Sequence, residues 1–375
     1  MVRFLYTADW QLGMTRHFLA GEAQARFDGA RLDAIRAIGA LAEKENCAFV
    51  VVCGDVFESN QVERQVIVRA LDAMRATPQV TFYLLPGNHD PLDASTLYKS
   101  PSFINHRSDN VVVLECPDPV EAAPGIELIA APWLTKRPIV DLVSRACAGL
   151  TADARVRIVV GHGACDVISP DKADPALISL SQLEENLDGG RVHYVALGDR
   201  HSKTDVGDSG RVWYSGAPEP TDYVEVDPGN VLLVELDTNQ VRVEPRPVGT
   251  WRFLRDERAL TGDADLDALD EWLSCLDSKD RTIVKLALVG QLSLIQKARL
   301  DDLLKHHADL LAALETWERR SELVVVPDDV DRDDLGLSGF ALEAFADLGK
   351  LAESGEEAMV ARDALALLHR LARAG

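Results

Sequence analysis

The sequence predicts an α/β protein: a layered sheet with one shared site, then a smaller α+β domain and a C-terminal helical pair. Three observations carry this. The first ninety residues alternate apolar runs with amphipathic stretches, and each apolar run ends in a cluster of acidic or amide side chains. Beyond Pro245-Arg246-Pro247 the composition shifts and such clusters cease.

Arg3–Ala8 reads as a short strand ending in Asp9-Trp10-Gln11. Gln24–Lys44 has helical spacing, with Leu32, Ile35, Ile38 and Leu41 on one side. Ala48–Cys53 is continuously apolar, the pattern of a strand covered on both faces, and runs into Gly54-Asp55-Val56-Phe57-Glu58. A helix over about 63–76 leads to the strand Val80–Leu85, which delivers Pro86-Gly87-Asn88-His89-Asp90. Loops at the C-terminal ends of such strands are where open α/β sheets place their chemistry. Further strands are predicted at 111–114, 126–131, 156–160 and 194–197. The last two end in Gly161-His162-Gly163 and Gly198-Asp199-Arg200-His201. Strands at 211–215 and 231–236 close the main domain, set at residues 1–248.

Residues 249–335 read as the α+β domain: a helix at 266–276, a strand at 283–289, a helix at 293–314 and a strand at 323–326. The acidic run Asp328–Asp334 reads as a linker, and residues 336–375 as the helical pair Phe340–Leu351 and Met359–Leu371. Their apolar positions (Phe340, Phe345, Leu348, Leu351, then Met359, Leu365, Leu368, Leu371) form faces suited either to internal packing or to a partner helix.

The chain of 375 residues is 47% hydrophobic and 27% charged, a globular composition. Its six cysteines lack CxxC spacing and sit in or beside apolar runs, which reads as reduced thiols. No signal peptide or membrane span is apparent, so a cytoplasmic protein with no membrane partner is expected. The net charge of −22 opposes nucleic-acid binding by self-supplied electrostatics, and residues 251–375 hold 16 basic against 26 acidic residues. A DNA substrate would need metals or a partner to supply attraction.

Asp9, Gln11, Asp55, Asn88, His89, His162, Asp199 and His201 all fall at strand ends. Singly, Asp9 or Asp55 reads as a helix cap, Asn88 as a turn residue, and either histidine as an ordinary loop residue. Together, these carboxylates, imidazoles and amides suit two divalent cations, Mn²⁺ favoured. Two ions about 3.5–4 Å apart clamp attacking and leaving oxygens, with one carboxylate between them; Asp55 best suits that place.

In order and strand-end placement these residues resemble the calcineurin-like metallophosphoesterases, whose pattern is D-x-H, G-D-x-x-D/E, G-N-H-D/E, G-H and G-H-x-H. A closer likeness is to the SbcD-type DNA repair nucleases, carried by Tyr214-Ser215-Gly216-Ala217, Tyr223-Val224-Glu225 and the strand Val231–Leu236. The resemblance implies a layered β-sandwich flanked by helices, with an α+β capping domain. It implies that Asp9 and His201 bind one ion, Asp55 bridges, and Asn88 and His162 bind the second. His89 would stabilise the pentacovalent phosphate and protonate the leaving oxygen, oriented by Glu58 or by Asp90. A metal-bridged hydroxide would attack phosphorus.

Two positions depart from the pattern: Gln11 stands for a histidine, and Asp199 for the first histidine of G-H-x-H. Asp199 would serve the second ion. Gln11 offers a neutral oxygen, so the Asp9/His201 ion is expected to bind more weakly. Arg200, Arg16 and Lys203 are candidate phosphate contacts, and Trp10 and Tyr98 could stack bases. The function implied is a DNA phosphodiesterase acting in repair, with an SMC-like ABC ATPase gripped by residues 336–375; homodimers are common in the resembling family. Two alternatives stay open: a phosphoesterase for nucleotides or other small phosphate esters, and a weakly catalytic regulatory subunit.

Overall fold

Phe49–Cys53 is buried at every residue, as its unbroken hydrophobicity requires. It is β2 of a sheet that also holds β1 (Val2–Thr7), β3 (Thr81–Leu85) and β4 (Val111–Val113), paired in parallel. The computed structural model describes residues 1–326, 339–353, 360, 361, 364, 365, 367 and 368. Helices α1 (Ala23–Lys44), α2 (Arg64–Arg75) and α3 (Pro101–Ile104) fall between these strands.

A second sheet follows from β5 (Val120–Ala123), β6 (Ile126–Ala130), β7 (Val156–His162), β8 (Tyr194–Gly198), β9 (Thr204–Asp205) and β10 (Val212–Tyr214). Helices α4 (Leu142–Cys147) and α5 (Leu180–Asp188) are inserted along it. The chain then returns to the first sheet as β11 (Asn230–Leu236) and β12 (Val241–Pro247). Among the described residues the two sheets have the orders β12-β11-β1-β2-β3-β4 and β5-β6-β7-β8-β10-β9.

Alternation along each strand builds a four-layer stack. Phe49, Val51 and Cys53 join Phe4, Tyr6, Ile158, Val160, Tyr194 and Ala196 between the sheets. Val50 and Val52 face the other way, onto Ile35, Ile38, Ile67 and Leu71 of α1 and α2. Ile129, Val159 and Val195 meet Val143 and Leu183 of α4 and α5. The central layer is a β-sandwich flanked by helices. Tyr6 ties the sheets together, its hydroxyl accepting from Leu197 N at 2.8 Å and meeting the Leu197 and Trp213 carbonyls.

Pro245-Arg246-Pro247 ends β12. That strand lies at the sheet's edge, where a missing N–H costs no ladder bond. The chain divides into two compact units, residues 1–17 with 24–251, and residues 18–23 with 252–375. The second contains β13 (Arg252–Leu260), α6 (Asp263–Ser274), β14 (Thr282–Ser293), α7 (Leu294–Ala308), β15 (Ala313–Thr316), β16 (Glu322–Val326) and α8 (Phe340–Glu353). The helix expected to reach residue 314 stops at Ala308, because Ala313–Thr316 pairs with β14. Leu260, Leu266, Leu269, Val284, Leu288 and Leu300 form its core.

In the second unit Ala352, Ala361 and Leu365 are buried with Leu294 and Val325, and Phe345 and Leu348 pack against them. Part of the terminal apolar face is therefore covered internally. Phe340, Leu351, Val360 and Leu367 stay exposed. The acidic run 328–334, Met359 and Leu371 lie outside the described residues. Among the described residues, no helix is long and apolar enough to cross a membrane, and all six cysteines are free.

Candidate metal centre

The chain beyond β1 continues beside the chain beyond β2, with Asp9 N bonded to Gly54 O at 3.1 Å and Gln11 N to Asp55 O at 2.8 Å. This extension of the parallel pairing brings Asp9 and Asp55 side by side. Asp9 (φ 55°), Gln11 (φ 43°), Asp55 (φ 52°) and Asp199 (φ 95°) all have positive φ. Such backbone costs about 1–3 kcal/mol per residue and gathers at functional sites. Aspartate tolerates it better than most residues; Gln11 has no such allowance. Two glycines permit the close approach. A β-carbon on Gly54 (φ 88°) would overlap the His162 ring, and one on Gly198 would overlap the Cys53 carbonyl oxygen.

His162 lies at the centre of the constellation. Its Nδ1 is 2.8 Å from Cys53 O, which keeps a proton there and makes Nε2 the nitrogen that a cation could take. That Nε2 is 2.6 Å from Asn88 Oδ1, 3.4 Å from Asp55 Oδ2 and 3.8 Å from Asp199 Oδ1. Ligand atoms of Asp9, Asp55 and His162 all lie within 4.8 Å of one another. Acceptors this crowded require a positive species among them. Burial, reinforced by the Asp55 and Asp199 charges against the pull of His201 and His162, pushes Asp9 up to about 7. Burial lowers the His162 pKa, but Asp55, Asp9 and Asp199 outweigh it and hold the imidazole well above its ordinary value.

His201 and Gln11 line the same cleft, of about 510 Å³, with His89, Asp199, Arg16 and Arg200. His201 Nδ1 lies 2.6 Å from Thr221 Oγ1 and 3.0 Å from Glu225 Oε1. Burial depresses this imidazole, but the Glu225 bond together with the negative charges of Asp9, Glu225 and Asp55 outweighs it, so its pKa is raised. Gln11 is buried, and among the described residues its Oε1 has no hydrogen-bond partner. An orphaned amide oxygen, three carboxylates and imidazoles with one nitrogen already satisfied fit a divalent cation.

His89 sits at the edge of this group. Its backbone N donates to Asp55 Oδ1 at 2.9 Å, its Nδ1 faces Glu58 O at 2.9 Å, and its Nε2 is 3.9 Å from Asp55 Oδ2. The orienting group is therefore the Glu58 main-chain carbonyl; the Glu58 carboxylate is 3.8 Å away. Asp90 does not orient His89. Its Oδ1 accepts from Gly87 N at 2.8 Å, and its Oδ2 from Phe57 N at 3.0 Å and Tyr98 OH at 2.6 Å.

Arg16 and Arg200 line the cleft, Arg16 bonded to the Thr221 carbonyl and Arg200 Nε to Thr204 Oγ1 at 2.8 Å. Lys203 is instead paired with Asp227 and is not among the residues lining the cleft. Trp10 and Tyr98 are buried and cannot stack an incoming base. Trp10 packs edge-on against Phe82, and Tyr98 against Phe57 and Phe103. Sequence reasoning gave no site role to Glu225, Thr221 or Trp133, whose Nε1 donates to His162 O at 2.7 Å. Only Glu225 carried a signal, as part of Tyr223-Val224-Glu225.

Residues 2–203, more than half of the chain, match the calcineurin-like phosphoesterase family. The chain is 27% identical over 291 residues to the SbcD subunit of the nuclease SbcCD from Rhodobacter capsulatus. That match covers 62% of this chain and 66% of the relative, slightly under two thirds of its length. Among solved structures, TT1561 of Thermus thermophilus aligns with a TM-score of 0.39 at 9% identity, over 65% of this chain and 98% of that one. A dimetal phosphatase from Danio rerio aligns with a TM-score of 0.39 at 14% identity, over 66% and 96%. The chain belongs to the calcineurin-like phosphoesterase family and is a metal-dependent phosphoesterase.

Proposed function

We propose that this protein is a Mn²⁺-dependent DNA phosphodiesterase acting in repair together with an SMC-like ABC ATPase. The carrying observation is the similarity to the SbcD subunit of the nuclease SbcCD. It covers more of the chain than residues 2–203 make up, so it is not confined to the part shared across the family. In this reading Asp9, Gln11 and His201 would hold one cation, Asn88, His162 and Asp199 would hold a second, and Asp55 would serve both.

Bound cations would neutralise the phosphate and activate a water for attack on phosphorus. The chain's own residues do the rest. The Glu58 carbonyl holds the Nδ1 proton of His89, so Nε2 is the position that exchanges a proton with the leaving oxygen. The Asp55 carboxylate is 3.9 Å from that Nε2, so the free edge of the ring faces the metal centre. Arg16 and Arg200 contact phosphate oxygens at the cleft edge. With a net charge of −22, these two arginines and the cations supply local attraction, and the ATPase supplies the remainder.

Residues 249–335 act as a cap and 336–375 as the docking segment, through the exposed Phe340, Leu351, Val360 and Leu367. The reading implies a cytoplasmic protein and, by the family resemblance, a homodimer. Deleting 336–375 is expected to abolish ATPase co-purification and to keep phosphodiesterase activity; retained co-purification refutes the docking role.

A second reading, a phosphoesterase for nucleotides or other small phosphates, is favoured by the acidic charge alone. Assays with Mn²⁺ on linear single- and double-stranded DNA and on chromogenic diesters, with and without the ATPase, separate the two. DNA cleavage supports the proposal. Hydrolysis of small esters only selects the second reading, and silence on every substrate selects a regulatory subunit.

A further inference from the structure

We infer that Glu225 is a positioning residue for the metal centre and that it offsets the neutral amide carried at position 11. The inference rests on the metal-dependent phosphoesterase reading and is independent of whether the substrate is DNA.

Glu225 is almost fully buried, with its side chain 4% exposed, and lies 3.0 Å from His201 Nδ1. A carboxylate there keeps the imidazole proton on Nδ1 and leaves Nε2 free for an ion. The carboxylate is itself held: Thr221 N donates to it at 2.9 and 3.2 Å, and Thr221 Oγ1 bonds to it as well.

The loop that carries it is pinned along its length. Ala217 N bonds to His201 O at 3.1 Å, and Val226 N to Ser202 Oγ at 2.9 Å. Arg16 bonds to the Thr221 carbonyl. Glu219 accepts from Thr250 N at 2.9 Å and Trp251 N at 3.0 Å. Ordering a loop this thoroughly costs backbone entropy at every residue, so the contact with His201 is a built one.

Gln11 supplies the reason for it. A neutral amide oxygen donates less to a divalent cation than an imidazole or a carboxylate does. A carboxylate hydrogen-bonded to the remaining imidazole raises that ligand's basicity and restores part of the donation.

Calorimetric titration of the full chain with Mn²⁺ tests this, with Glu225→Gln, Gln11→His, Glu225→Gln/Gln11→His and Thr221→Val beside wild type. Thermal melts of the metal-free proteins report folding. The expected result is two sites in wild type and a roughly 10–100-fold loss at one of them in Glu225→Gln, the other unchanged. Gln11→His should recover about tenfold or more in that background and gain less when made alone in wild type, a coupling that a merely structural loop would not show. Thr221→Val should weaken the same site by less.

A Glu225→Gln isotherm that overlays wild type overturns the inference alone, as does an equal loss at both sites with a lowered melt. Wild type that takes up no Mn²⁺ overturns the metal-dependent reading with it. If Glu225→Gln does not fold, an unchanged Thr221→Val isotherm overturns the inference.

Discussion

The hydroxyl of Tyr98 donates to the carboxylate of Asp90 at 2.6 Å, and both groups are buried. Asp90 follows His89 in sequence, yet its two oxygens serve Gly87 N, Phe57 N and Tyr98. It holds the shape of the loop that presents Asn88 and His89. Tyr98→Phe should therefore destabilise the protein by about 1.5–3 kcal/mol, the usual worth of a hydrogen bond to a charged group, in urea unfolding. Its turnover should stay close to wild type. Asp90→Ala, which strips three donors of their acceptor, should cost more and lower activity through metal occupancy.

His89→Gln should lower turnover on an unactivated diester by about 10²–10⁴-fold, the usual contribution of general acid catalysis, and leave Mn²⁺ binding unchanged. With a nitrophenyl leaving group, which departs without a proton, the loss should shrink. An equal loss on both substrates would place His89 in phosphate binding alone.

Metal affinity should rise with pH. The folded, metal-free protein holds the Asp9 proton up to about pH 7, whereas an ordinary carboxyl releases it near 3.8. Between those values the folded state binds more protons than the unfolded chain, so Asp9 makes stability fall as pH rises. A cation must displace that proton and the one held by the raised His162 imidazole, which gives about tenfold in affinity per proton per pH unit below 7 and a shallower rise above. Calorimetry in buffers of different ionisation enthalpy should detect the released protons, and Asp9→Asn should flatten both dependences.

The strands were legible because they are short, apolar and buried on both faces, as Ala48–Cys53 shows; their stacking as two sheets was expected from the family resemblance alone. The polar residues gathered around His162 were legible for a related reason: each ends a strand, and parallel strands bring their ends together. What lay hidden depends on side-chain direction and on main-chain atoms. Adjacency made Asp90 look like a partner for His89, although its side chain turns into the core. The acceptors that fix His89 and His162 are the carbonyls of Glu58 and Cys53, which have no signature in residue type. Glu225 comes from a loop that folds back over 24 residues to reach His201. Lys203 looked available until Asp227 appeared beside it, and amphipathicity could not say which neighbour would cover Leu365.

Anomalous scattering from crystals soaked in Mn²⁺ tests the central claim most directly. Two peaks about 3.5–4 Å apart are expected. The Asp55 carboxylate should lie between them, with one ion reached by Asp9, Gln11 and His201 and the other by Asn88, His162 and Asp199. Mn²⁺ found only elsewhere on the surface, with no peak within bonding distance of Asp55, would contradict the account.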